Sequence, residues 1–212
     1  MNMIVRAAFL LAASALLGGC VSFEVAPVAE TGCDAGLIGT WQARNENGET
    51  KVLRLDAACR LRGLKDGNAD ESTNNEIVDI RTFDLDGQHY IVAAEGTPNE
   101  VRDSDGKLVE TWPATRVDLF RYRRDGDSLN VWTADPAVAA TLVSPGIAVR
   151  SDAIIDTKTG KPMAGMLRDN ILLRGKREDL AALLRTRGDA LYLDMRPDKA
   201  LTLQRLPEKT TP

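Results

Sequence analysis

Two Asp-Gly pairs, each set between alternating apolar runs, constrain the fold of this 212-residue chain more than any other feature. In TRVDLFRYRRDGDSLNVWTAD (Thr115–Asp135), Val117 and Leu119 fall on one side of an extended chain, and Phe120 and Tyr122 on the other. Such a period of two is the mark of a strand. The arm Arg116–Arg123 turns at Arg124–Asp127 and returns as Ser128–Thr133. Asp-Gly accepts the left-handed backbone that tight hairpins need. The same logic joins Ile77–Leu85 to His89–Glu95 across Asp86-Gly87.

Further strands are expected at Leu37–Arg44 and Thr50–Asp56, joined across Asn45–Glu49, and at Ala58–Leu64. Ile147–Arg150, Met166–Leu173, Ala190–Met195 and Ala200–Leu206 complete the set, with a small hairpin at Ser104–Gly106. Asp135-Pro136 is a cap and first-turn pair that starts a short helix over Ala137–Val143. In KREDLAALLRTRG, Leu180, Leu183 and Leu184 share a helical face, acids open the first turn, and Gly188 is the expected cap. The fold class is mainly β: an antiparallel curved sheet or barrel with two short helices.

Ahead of these elements, Arg6 precedes an apolar run, Ala7–Leu17, and then Gly18-Gly19-Cys20. The run is too short to span a bilayer as a helix, which takes roughly 20 residues. Residues 1–19 therefore read as an export signal outside the fold. Leu17-Gly18-Gly19-Cys20 resembles the lipobox of bacterial lipoproteins. The resemblance implies diacylglycerol on the Cys20 thiol, cleavage before it, and acylation (palmitate) of the new amino group. Two or more chains make a stable anchor, at about 0.8 kcal/mol per buried methylene. Val21-Ser22, with no aspartate after the cysteine, implies the outer membrane facing the periplasm rather than retention at the inner membrane. Residues 20–32 are expected to be a lipidated tether reaching about 40 Å, and residues 33–212 a single domain.

Cys33 and Cys59 form an even pair in an exported chain, and a disulfide is expected in an oxidising compartment. Reactive or metal-binding thiols are the alternative. His89 is the sole histidine and no C-x-x-C occurs, so zinc has too few ligands and no metal or cofactor is expected. Asp66, Asn68 and Asp70 alternate like a calcium loop, but Glu71 stands where that pattern wants glycine, and a solvated loop is expected. The net charge of −4, without a basic cluster, argues against a nucleic-acid partner.

Gly39-Thr40-Trp41 resembles the G-x-W element of lipocalins, in which the tryptophan closes the barrel base under a late arginine. The resemblance puts Arg196 or Arg205 in that place. A second resemblance joins the G-T-W start, the hairpin R-Y-x-x-x-G-D-x-L-x-V-W (Arg121–Trp132), the Asp135-Pro136 helix and Asn170–Leu173. It is to a group of small, uncharacterised bacterial envelope proteins and carries no site residues with it.

No catalytic constellation is legible, and catalysis is not expected: no G-x-S-x-G, H-E-x-x-H or phosphate-loop pattern occurs. Trp41, Trp112 and Trp132 are candidates for a ligand pocket or, more simply, for the core. The leading expectation is a lipid-anchored envelope domain that binds a small apolar ligand or an envelope protein. An outer-membrane accessory without a ligand is the second, and a carboxylate-dependent hydrolase the third. Its oligomeric state is open.

Overall fold

Along the chain the strands are β1 (Val21–Phe23), β2 (Gly39–Arg44), β3 (Thr50–Leu55), β4 (Arg60–Leu64), β5 (Val78–Leu85) and β6 (Gln88–Ala94). They continue as β7 (Asn99–Arg102), β8 (Leu108–Trp112), β9 (Val117–Asp125) and β10 (Ser128–Thr133). After helix α1 (Pro136–Thr141) come β11 (Ile147–Ile155), β12 (Pro162–Leu173), helix α2 (Arg177–Leu191) and β13 (Leu201–Arg205). The computed structural model describes residues 21–44, 50–64, 77–94, 96–102, 108–142, 146–155 and 162–207. The leader, Cys20, the Asn45–Glu49 turn, the Asp66–Asp70 loop and the Ser104–Gly106 turn lie outside the described residues.

Strands β2, β3, β4, β5, β6, β9, β10 and β13 close into an antiparallel barrel in that order, with β13 returning to β2. Each neighbour in the barrel is the next barrel strand in the chain. An even number of up-and-down strands lets the last pair antiparallel with the first. The β7–β8 hairpin and the α1–β11–β12–α2 segment are insertions into this meander.

Alternation decides what each face covers. Inside, Trp41, Leu53, Leu55, Leu61, Ile80, Ile91, Leu129, Val131 and Leu203 pack with Phe120 and Tyr122 into one cluster that draws on all eight strands. Outside, Phe83, Tyr90, Val92, Val117 and Leu119 are just as apolar and are buried under Phe23, Ile171, Leu173, Leu180, Leu184, Leu191 and Tyr192. Phe120 and Tyr122 thus face one way and Val117 and Leu119 the other, as the period of two requires.

The end of the barrel is stapled. A 3-10 turn at Ala35–Leu37 lies across it, and Trp41 Nε1 donates to the Leu37 carbonyl at 2.7 Å. Arg205 stacks on Trp41, its Cζ 4.4 Å from the ring centroid, and donates to the Ile38 and Gly36 carbonyls. Between the two candidate arginines of the G-x-W resemblance, the structure chooses Arg205. Gly39 is required there: its φ is +142°, and a Cβ would stand 2.6 Å from the Arg205 guanidinium. The Cys33–Cys59 disulfide ties this end to the β3–β4 turn, with Cα atoms 5.8 Å apart.

Several expectations are corrected. Residues 20–32 are not a free tether where they are described. Strand β1 runs antiparallel to β9, Phe23 opposite Val117, and parallel to β12, Val21 opposite Ile171. Phe23 is wholly buried, Val25, Ala26 and Val28 pack beside it, and Gly32 bridges to Thr82. Val21 and Phe23 cover apolar surface that would otherwise meet water. The strand expected at Ala190–Met195 is absent from the described fold: α2 runs to Leu191, and 3-10 turns follow at Leu193–Met195 and Pro197–Lys199. Gly188 is inside the helix rather than its cap, where a Cβ would sit 3.4 Å from the Tyr90 hydroxyl. Strand β4 begins at Arg60, and Cys59 precedes it in a turn at φ 61°.

Deleting residues 21–31 is expected to destabilise the barrel in urea unfolding, and Phe23→Ala to cost about 3–5 kcal/mol. A free tether would leave both midpoints unchanged.

The β3–β4 turn adds a pH term. The Asp56 carboxylate accepts from the backbone N–H of Arg60 (3.0 Å) and of Ala58 (2.9 Å), and from the Arg60 and Arg62 guanidiniums. The Arg60 backbone N–H leads in lowering its pKa to about 2. A carboxyl that titrates lower folded than unfolded contributes stability above about pH 4 and loses it as pH falls through about 2. Asp56→Asn is therefore expected to be less stable than wild type at neutral pH and to converge with it near pH 2, read from denaturation at each pH.

Candidate functional site

Helix α2 positions the site. Its apolar side, Leu180, Leu184 and Leu191, sinks into the outer core. Its polar side then meets the barrel wall at two points. Arg185 Nε donates to Asp86 Oδ2 at 2.8 Å, and Asp189 Oδ1 accepts from Arg121 Nη1 at 2.6 Å. Arg121 is 3% exposed while Asp189 is 78% exposed, so the pair runs from a recessed cation to a carboxylate at the surface. Gln88 Oε1 accepts from Arg121 Nε at 3.1 Å and from its Nη2. A recessed guanidinium needs such partners, because a buried unpaired charge is costly.

Around Arg121 a cleft of about 540 Å³ opens between the start of β6, the end of β9 and the chain that follows α2. His89 is at one rim, its Nδ1 3.1 Å from Asp84 Oδ2 and its ring 5.5 Å from that of Tyr122. Arg123 is another, its Cζ 5.8 Å from the Trp132 ring centroid. Tyr122 points into the barrel and donates to Asp34 Oδ2 at 2.8 Å. Burial, then that carboxylate, raise its pKa well above the ordinary tyrosine value.

The opposite rim is strained. Leu193, Asp194 and Met195 all have φ of 52°, one turn of left-handed backbone in residues that carry a Cβ. Such a conformation costs roughly 1–2 kcal/mol per residue. It is held from both sides. Tyr192 is fully buried, its hydroxyl donating to the Leu119 carbonyl at 3.2 Å, and Trp132 Nε1 donates to the Arg196 carbonyl at 2.9 Å. Burial pushes the Tyr192 phenol upward. Asp194 and Met195 both line the cleft.

The three tryptophans are all buried, in three different clusters: Trp41 in the barrel, Trp132 in the outer core, and Trp112 against Leu172. Trp112 Nε1 donates to Glu110, which pairs with Arg174. The structure does not bring them together. Among the described residues, no group of three or more histidine, cysteine or acidic side chains is arranged to hold a metal, and no helix is long and apolar enough to cross a membrane.

Sequence reasoning passed over Arg121, Arg123, Asp189 and Asp194. One signal was present: Arg121 and Arg123 continue the face of β9 that Val117 and Leu119 begin, so the apolar period gives way to paired charge. Asp189 carried none, since its contact spans 68 residues. No family model, curated protein or solved structure matches this chain. Its class rests on its own topology, an eight-stranded antiparallel closed barrel of lipocalin-like form with helices packed outside.

Asp194→Gly is expected to stabilise the protein by about 0.5–1 kcal/mol, because glycine adopts the left-handed turn without steric cost. Thermal unfolding at neutral pH measures it. No gain, or a loss, would mean that the turn is unstrained.

Proposed function

We propose that this chain is a lipid-anchored envelope protein, facing the periplasm from the outer membrane, whose packed barrel binds a partner on its outside. The observation that carries the reading is the filled interior. The inward side chains of all eight strands pack on one another, and Trp41 lies under Arg205 at the stapled end. An apolar guest would have to displace Phe120, Tyr122 or Trp41 from that cluster, whereas the outer cleft is open as it stands. The work is binding rather than catalysis.

The anchor rests on Leu17–Cys20 and the outer-membrane address on Val21-Ser22. Val21 is buried and paired directly after Cys20, so the folded domain begins at the residue next to the proposed anchor. A lipid on Cys20 would hold the barrel flush with the membrane surface. Membership of the group of small envelope proteins is proposed on the Arg121–Trp132 hairpin and the Asp135-Pro136 helix start.

Cells fed an alkyne analogue of palmitate are expected to label the wild-type chain and leave Cys20→Ala unlabelled. The variant should also leave the membrane pellet after alkaline washing. Label that persists in Cys20→Ala would sink the anchor.

A further inference from the structure

We propose that the outer cleft is a binding site for an oxyanion, the carboxylate or phosphate group of a small ligand, received by Arg123 and Arg121. Three observations converge on it. Arg121 and Arg123 are two residues apart on β9 and so share a face, roughly 7 Å apart. Arg121 is buried to 3% exposure at the cleft wall, and its guanidinium is oriented by Gln88 rather than left to rotate. Its ion-pair partner, Asp189, is a largely exposed carboxylate reaching in from another element, which occupies the place an incoming oxyanion would take.

Guanidinium groups match carboxylate and phosphate oxygens in planar, forked geometry. Gln88 takes the Nε edge of Arg121 and Asp189 takes Nη1, so an oxyanion reaches this buried guanidinium by displacing the exposed Asp189 carboxylate. Arg123 has Trp132 as its described contact and keeps its donors free among the described residues. The volume, about 540 Å³, suits a small-molecule group rather than a polymer. The turn at Leu193–Met195, held in left-handed backbone at the facing rim, is the kind of strain that persists where a site is shaped in advance.

Trp132 serves as a built-in reporter, because Arg123 lies over its ring. The full chain in detergent is titrated with inorganic phosphate, and separately with acetate, at constant ionic strength set by chloride, while tryptophan emission is followed. A saturable change complete by about 10 mM in either anion is expected. Arg123→Gln should weaken it about tenfold or more, and Arg54→Gln, on β3 away from the cleft, should not. Asp189→Asn is expected to bind more tightly, since a competing carboxylate is gone. Saturation by phosphate alone, by acetate alone, or by both would support the site and name the ligand chemistry. Emission that drifts without saturating, or that saturates identically in Arg123→Gln, would overturn it.

Discussion

The structure depends on one strand pair that is apolar on both faces. Strands β6 and β9 present Ile91, Phe120 and Tyr122 inward, and Tyr90, Val92, Val117 and Leu119 outward. A sheet with two such faces cannot leave either in water, since each fully buried large apolar side chain is worth about 1.5–3 kcal/mol. Closing the barrel covers the first face. The second needs a separate layer, and β1, β12, α1 and α2 provide it. The insertion between β10 and β13 is therefore as much a part of the core as the barrel strands.

The cleft is the edge of that second layer. Where α2 ends, the apolar period of β9 gives way to Arg121 and Arg123, and the helix meets Arg121 with Asp189 instead of leucine. The chain must then return to β13 on the barrel wall, and it does so through the left-handed turn at Leu193–Met195. Tyr192 and Trp132 hold the two ends of that turn by burial and by one hydrogen bond each. Strain and recessed charge thus sit together, each maintained by packing around it rather than by local preference.

Hairpins were legible because their chemistry is local. Asp86, Gly87 and Gly126 supply positive φ where tight turns need it, and the arms that flank them alternate. The Asp135-Pro136 start of α1 is equally local, with Asp135 accepting from Ala137 and Val138. The reading failed where the partner is distant. Three residues of β1 carry no period, and their mates on β12 lie about 150 positions away in the chain. ALYLDM imitates a strand by alternation, but Leu191 and Tyr192 are buried in the outer core, and that burial carries the helix on through Gly188.

By itself, the sequence determined the antiparallel character, the principal hairpins and the leucine face of α2, because turn residues and side-chain periods act within a few positions; the Cys33–Cys59 bridge was legible for a different reason, as the one cysteine pair left beyond the leader. Tertiary structure alone decided that the sheet closes, that β1 is a strand, that Arg205 rather than Arg196 covers Trp41, and that Arg121 meets Asp189. Each of those contacts joins residues far apart in the chain, where the choice among partners is settled by which arrangement buries both faces of β6 and β9 at once.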